Sequence, residues 1–262
     1  MDDKEQTVVQ SIEYMKQHLQ EELTSEQIAA NAGYSVYHFT RTFKEVTGVS
    51  PRQYLSAIRI QKGKQQLIDS SNYSVLRTVL QVGFKSIGTF SSRFKHNVGL
   101  SPKQFSSETK RLAVFMESQT EYSLIDRLLP TKPTVSCHVK VPFSFNGIIF
   151  VGLFRRQIPD EAPVTGTAIT RSTPFCTFTG LGPGTYYLMA AALPWSVNIK
   201  DYFVPDNCLR SKYEQPLVIT EDSELEVSLT LRNPQPYDPP ILINLPLLLF
   251  QKLNKTANGK KI

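Results

Sequence analysis

The sequence predicts a multidomain α plus β protein, an all-α double helix-turn-helix domain followed by an all-β sandwich domain, and three observations predict it. The segment GYSVYHFTRTFKEVTGVSPRQY (33–54) recurs loosely as GFKSIGTFSSRFKHNVGLSPKQF (83–105). Only Pro51 and Pro102 of the 17 prolines precede residue 130; the other 15 lie between Pro130 and Pro246, a density that excludes long helices there. Charge divides the same way: residues 24–111 hold 13 Lys and Arg against 4 Asp and Glu, whereas the remainder holds 16 against 19.

In the repeat, Gly33, Phe39, Phe43, Lys44, Gly48, Ser50, Pro51 and Gln53 correspond to Gly83, Phe90, Phe94, Lys95, Gly99, Ser101, Pro102 and Gln104. A period near fifty residues first suggests a solenoid, but solenoids stack three or more units and only two copies are present. Each copy follows an apolar helical pattern with a glycine, an aromatic and short polar residues that open a second helix. That order is the plan of a helix-turn-helix, whose tight turn often contains glycine.

The acidic start MDDKEQ is a solvated lead-in to a first helix. Thr24 with Gln27 three residues on forms a capping-box pattern, and Ile28, Ala29 and Ala32 supply the buried side of the helix it opens. Gly33 takes the positive φ that ends this helix, a conformation strained for any residue with a Cβ. Ser35 caps the next helix, in which Tyr37, Thr40, Arg41 and Lys44 fall on a face away from Phe39 and Phe43. Ser50-Pro51 opens a third helix running to about Ser70, because proline is well tolerated in a first turn. Leu55, Ile58 and Leu67 face its core side, with Arg59, Lys62 and Lys64 largely outside. Its twenty or so residues span on the order of 30 Å, close to the roughly 34 Å of one turn of B-DNA. Basic charge concentrated on such a repeat supplies salt-sensitive affinity for phosphate, and the two coincident helix-turn-helix patterns favour DNA over RNA or anionic lipid.

The combination of AGYSVYHFTRTFKEVTGVSPRQYL, RIQKGKQQLI and VGFKSIGTFSSRFKHNVGLSPKQF resembles the double helix-turn-helix domain of AraC/XylS-type bacterial transcription regulators. The resemblance covers roughly residues 7–112 and implies about seven helices and sequence-specific binding to double-stranded promoter DNA. Carried over position by position, Tyr37, Thr40 and Arg41 face the groove in the first unit. Arg41 suits a bidentate contact to guanine, Thr40 a base or a thymine methyl, Tyr37 a stacking or phosphate contact, and Lys44 a phosphate. The competing readings are a partly buried aromatic for Tyr37 and a solvated helix face for Arg41 and Lys44.

The second unit departs from the family pattern. Thr78 and Val79 stand where an apolar residue followed by alanine is usual, Ile87 and Gly88 offer little hydrogen bonding, and Ser92 replaces Arg41, with Arg93 beside it. The expectation is that the first unit reads bases while the second positions the protein through Thr89, Arg93, Lys95 and helix N-terminal amides. The DNA-interface set is therefore Tyr37, Thr40, Arg41, Lys44, Ile87, Thr89, Ser92, Arg93 and Lys95. The order of domains, with the DNA-binding part first, differs from the commoner arrangement in the family, so effector habits do not carry over.

The domains expected are 1–112 for DNA binding, a helical linker at 113–133, and a β-sandwich at 134–262 for effector binding, dimerisation or interaction. A helix from about Lys103 to Leu129 joins them, with Leu112, Val114, Phe115 and Met116 as its apolar residues. TVSCHVKV, GIIFVGLFR, TGTAITR, TYYLMAAAL, LEVSLTL and ILINL read as strands of an antiparallel sandwich or barrel with about seven to nine strands. FTGLGPGTYYLMAAAL (178–193) is similar, over about twenty residues, to prealbumin-like or carboxypeptidase-regulatory-like sandwiches. Tyr186, Tyr187, Trp195, Tyr202 and Phe203 are candidates for a ligand pocket, with Arg155 and Arg156 for an acidic group; core packing is the commoner role for such aromatics. Ile241–Phe250, interrupted by Pro246, reads as a sheet-completing strand or a dimer contact and is too short for a membrane span, which needs about 20 residues.

Enzymatic chemistry is not expected. Some relatives of the DNA-binding family carry alkyl transfer on a cysteine, but Cys137-His138 lies in an apparent strand that turns the two side chains to opposite faces and lacks the Pro-Cys-His-Arg arrangement. Cys176, Cys208 and the scattered His18, His38, His96 and His138 form no metal-ligand spacing, so neither metal nor cofactor is expected. Three cysteines and no recognisable leader fit a reducing cytoplasm.

Overall fold

The computed structural model describes residues 2–69, 75–118 and 132–259, with the side chains of the last helix through Asn254. The chain forms two compact units, Met1–Glu108 with Gln235–Ile243, and Thr109–Pro234 with Asn244–Ile262.

Among the described residues the helical region contains seven helices: α1 (Asp3–Gln17), α2 (Ser25–Asn31), α3 (Val36–Thr47), α4 (Pro51–Asp69), α5 (Val75–Gln81), α6 (Ile87–Val98) and α7 (Pro102–Glu117). Reciprocal capping boxes open α1 through Asp2 and Glu5 and α2 through Thr24 and Gln27. The end of α2 is a Schellman turn: Tyr34 N–H donates to Ala29 O and Gly33 N–H to Ala30 O, with Gly33 at φ +74°. Phe84 and Gly83 repeat this turn on Val79 O and Leu80 O, with Gly83 also at φ +74°.

The repeat holds at the level of atoms. Ser35 and Ser86 cap α3 and α6, and Ser50–Gln53 and Ser101–Gln104 form identical capping pairs ahead of the prolines that begin α4 and α7. Phe39, Phe43 and Tyr54 stack in series at 5.5 and 5.4 Å; Phe90, Phe94 and Phe105 do so at 5.4 and 5.4 Å. Buried aromatic pairs in tilted and edge-on arrangements contribute beyond their area, so each unit carries the same anchor under its second helix.

The connector α4 does more than span. Arg59 donates from Nε to Leu19 O (3.1 Å) and from Nη2 to Glu21 O (2.7 Å), satisfying carbonyls beyond the end of α1. Gly63 lets Phe90 approach to 3.0 Å of where a Cβ would stand. Gly83 lies against the same loop, with Leu19 O only 2.1 Å from the position of a Cβ.

Two of the side chains expected outside on α4 are not. Arg59 is half-buried by its contacts with the 19–21 carbonyls, and Lys64 is fully buried, 0% exposed, with Nζ donating to Leu242 O at 3.1 Å and Ile241 O at 3.4 Å. Lys62 is exposed as expected. The Tyr54 hydroxyl reaches the same segment, donating to Asp238 O at 2.9 Å, where the second unit has Phe105. Residues 235–243 thus lie along α4, and a lysine stem is long enough to bury its methylenes while its head meets backbone carbonyls. Lys64→Met keeps the stem's bulk and removes the donor; urea denaturation should show a loss of about 1–3 kcal/mol from the stranded acceptors, against about 1 kcal/mol for Tyr54→Phe.

Strands β1 (Thr134–Lys140), β2 (Gly147–Phe154), β3 (Thr165–Ile169), β4 (Phe175–Thr179), β5 (Gly184–Pro194), β6 (Leu209–Lys212), β7 (Leu217–Ile219) and β8 (Glu224–Thr230) make two sheets. One is ordered β4-β1-β8, the other β3-β2-β5-β6 with β7 also paired to β5. Val135, Cys137, Val139 and Phe178 of the first sheet and Ile149, Val151, Leu188 and Ala190 of the second share one core. Alternation in β1 follows that core, whereas β2 is buried along its whole length.

Three expectations need correction. The β1–β8 pair is parallel, with Thr134 opposite Glu224 through Lys140 opposite Thr230, so the sandwich is not wholly antiparallel. The β region also contains helices, α8 (Ile199–Phe203) and α9 (Leu245–Gly259). ILINL and the following apolar run therefore do not complete a sheet: Asn244 Oδ1 accepts from Leu247 N–H and opens α9, and Pro246 sits in the first turn, where it costs no helical bond. Strands β4, β6 and β7 were absent from the runs read in the sequence. The helix expected from about Lys103 to Leu129 is present as α7 through Glu117 and its remainder from 119 on lies outside the described residues, while residues 132 and 133, the end of the expected helical linker at 113–133, are not helical.

Candidate nucleic-acid interface

The exposed face of α3 follows from its buried one. Phe39 and Phe43, four residues apart, anchor the helix through the ring stack, and Thr42 and Thr47 are buried beside them. Helical spacing turns Tyr37, Arg41 and Lys44 to the opposite side. Tyr37 is 79% exposed, which argues against the reading of a partly buried aromatic, and Arg41 and Lys44 are exposed; Thr40 is half-buried at the margin.

Arg41 is ordered. Its Nε donates to Glu45 Oε1 at 3.0 Å, and Glu45 Oε2 accepts from Lys4 Nζ of α1 at 3.2 Å. The hydrogen bond from Arg41, followed by that from Lys4, holds the Glu45 carboxyl below the usual range. Neither Glu45 nor Lys4 belongs to the interface set that the sequence predicts. The four-residue spacing from Arg41 to Glu45 was readable there; the approach of Lys4, 41 residues away, was not.

The second face is built on the same scaffold with different chemistry. Ile87, Thr89, Ser92, Arg93 and Lys95 are all exposed on α6. Thr89 Oγ1 shares a 2.9 Å hydrogen bond with the cap hydroxyl of Ser86, and Arg93 Nη1 donates to Ser56 Oγ on α4 at 2.9 Å. Two of the polar groups on this face thus already hold protein partners. Thr78 and Val79 are buried in α5, as their core positions in the repeat require.

In the β region the aromatic residues differ in burial. Tyr186, Tyr202 and Phe203 are buried, Tyr187 and Trp195 half-buried. The Tyr186 hydroxyl donates to Gly182 O at 2.7 Å, and the Arg155 guanidinium lies 4.0 Å above the Tyr186 ring. Arg156 pairs with Asp160 at 3.0 Å. These contacts support core and turn packing for the residues considered as a pocket.

Cys137 and Cys176 lie directly opposite in β1 and β4, both buried, while His138 faces outward as strand alternation requires. The hydrogen bond with Cys137, together with burial, pushes the Cys176 thiol far up, the reverse of what a thiolate nucleophile needs. Among the described residues no group of His, Cys, Asp or Glu is arranged to hold a metal, and no helix is long and apolar enough to cross a membrane.

The model of a helix-turn-helix domain family matches residues 28–108. The chain is similar to the MmsAB operon regulatory protein of Pseudomonas aeruginosa, 35% identical over 98 residues, covering 37% of this chain and 32% of that protein. It spans about a third of the length of two of the curated relatives it matches and less of others. Solved structures with similarity include a transcriptional regulator of AraC-type DNA-binding domain-containing proteins from Chromobacterium violaceum, 25% identical with a TM-score of 0.38, covering 39% of this chain and 91% of that one. Another is the DNA-binding domain of AdpA in complex with a target DNA, 28% identical with a TM-score of 0.38, covering 40% and 93%. Residues 28–108, with their paired turns, caps and aromatic anchors, match a helix-turn-helix domain family.

Proposed function

We propose that the chain is a sequence-specific DNA-binding transcription regulator that docks its two helix-turn-helix units in successive major grooves of promoter DNA, the first unit carrying most of the base readout. The observation that carries this is the joint presence of two exposed polar helix faces, on α3 and α6, and a 19-residue connector between their units. At about 1.5 Å per residue α4 is on the order of 28 Å long, and the net charge of residues 24–111 is positive. The first face offers Tyr37, Thr40 and Arg41 for base edges and Lys44 for phosphate. The second offers Thr89, Arg93 and Lys95, with Ile87 and Ser92 beside them on the same exposed helix, chiefly for positioning. Residues 1–112 serve as the DNA-binding domain and 113–133 as the linker. The β-sandwich serves effector binding, dimerisation or protein interaction, in a cytoplasmic protein without cofactor or catalytic role.

Binding-site selection from a randomised duplex library, repeated with candidate metabolites, tests this reading. A selected site should bind at least about 10³-fold more tightly than random duplex at physiological salt. A ratio near one would favour an architectural DNA-binding protein without effector response. Lys44→Ala and Lys95→Ala should each reduce the log–log salt slope of binding by about 0.9, whereas loss of a non-phosphate contact leaves it unchanged.

A further inference from the structure

We infer that Glu45 is a specificity-determining positioning residue: it holds the Arg41 guanidinium by its Nε so that the two terminal nitrogens project as a fork toward a guanine, with Lys4 offsetting the carboxylate's charge. This rests on the reading of α3 as the base-reading helix.

A carboxylate on a helix presented to DNA needs a reason, because phosphates repel it. Helix stability does not supply one: the basic residue precedes the acidic one, the less favourable order for a pair four residues apart. Both side chains are largely solvent-exposed, 70% for Arg41 and 44% for Glu45, where isolated pairs contribute little to folding. The geometry supplies a different reason. Glu45 Oε1 accepts a hydrogen bond from Arg41 Nε–H at 3.0 Å, and that nitrogen is not part of the end-on pair that meets guanine O6 and N7. Fixing Nε therefore orders the long side chain without occupying its reading edge, reducing the rotamer freedom lost on binding. Glu45 Oε2 is occupied by Lys4 Nζ at 3.2 Å, so the carboxylate is flanked by two cations. Lys4, Arg41 and Glu45 together carry one net positive charge, which limits repulsion from the backbone.

The test is binding-site selection followed by affinity measurement with the full chain and the variants Glu45→Ala, Glu45→Gln, Arg41→Ala and Glu45→Ala/Arg41→Ala, each checked by thermal melting. Glu45→Ala should lose about tenfold in preference at the same base position that Arg41→Ala relaxes, and the double variant should lose no more than Arg41→Ala alone. Glu45→Gln, whose amide oxygen still accepts from Nε, should retain most of the preference. If Arg41→Ala relaxes one position while Glu45→Ala leaves it intact, or tightens binding to all sequences equally, Glu45 is only a repelled neighbour and the inference is overturned while base reading by Arg41 stands. If Arg41→Ala leaves every position unchanged, the base-reading role itself fails, and the inference with it.

Discussion

Gly83→Ala should unfold the helical unit far more readily than Gly33→Ala, although the two glycines occupy the same place in the repeat and share a φ of +74°. Alanine in the left-handed region costs roughly 1–2 kcal/mol at either position. At Gly33 that is the whole effect, because nothing lies within 4 Å of the new methyl group. At Gly83 the methyl carbon would stand 2.1 Å from Leu19 O, a backbone atom held in turn by Arg59. Displacing it adds an overpacking cost of roughly 1–3 kcal/mol. At about 4–8 °C per kcal/mol, the Gly83 variant should melt more than about 10 °C below the parent and the Gly33 variant about half as far below it. Equal melting temperatures for the two variants would show that the 19–21 loop yields freely, contrary to the packing described.

Arg41→Ala should erase discrimination at one base position while leaving the affinity for random duplex lowered only by one charge. A bidentate arginine–guanine contact contributes about 1–3 kcal/mol of discrimination, so the selected site should lose roughly tenfold to hundredfold in affinity. Arg93→Ala should instead weaken every sequence alike, since Arg93 is tied to Ser56 on the connector. Competition binding against single-base variants of the selected site separates the two. An unaltered base preference in Arg41→Ala would remove the first unit from its reading role; an altered preference in Arg93→Ala would remove the division of labour.

Much of the helical region was legible because its determinants are local. The Thr24–Gln27 box, the Gly33 turn, the Ser35 cap and the proline at the start of α4 each act within a few residues, and the structure realises each. The exposed face of α3 followed from the spacing of Phe39 and Phe43 in the same way. Lys64 was misread because periodicity reports a helix's apolar stripe and is blind to a distant segment that supplies carbonyls to an ammonium. The short strands β4, β6 and β7 and the parallel pairing of β1 with β8 depend on nonlocal partners that no window of sequence contains. Pro246 misled for a related reason: it excludes a helix interior but favours a helix start, and Asn244 decides which applies. At the interface, Lys4 was out of reach for the same lack of locality, whereas Glu45 was one helical turn from a residue already named.

The contacts of Tyr54 and Lys64 with residues 235–243 have a consequence for the order of events on the ribosome. Glu108 leaves the peptidyl-transferase centre 135 residues before Ile243 does. At elongation rates of about 5–20 residues per second that interval is on the order of 10 s. Throughout it the buried ends of Tyr54 and Lys64 lack the carbonyls they meet in the finished unit. The helical unit is therefore completed only once residues 235–243 have been made, and a nascent chain halted before residue 235 holds a helical region without its full set of native contacts.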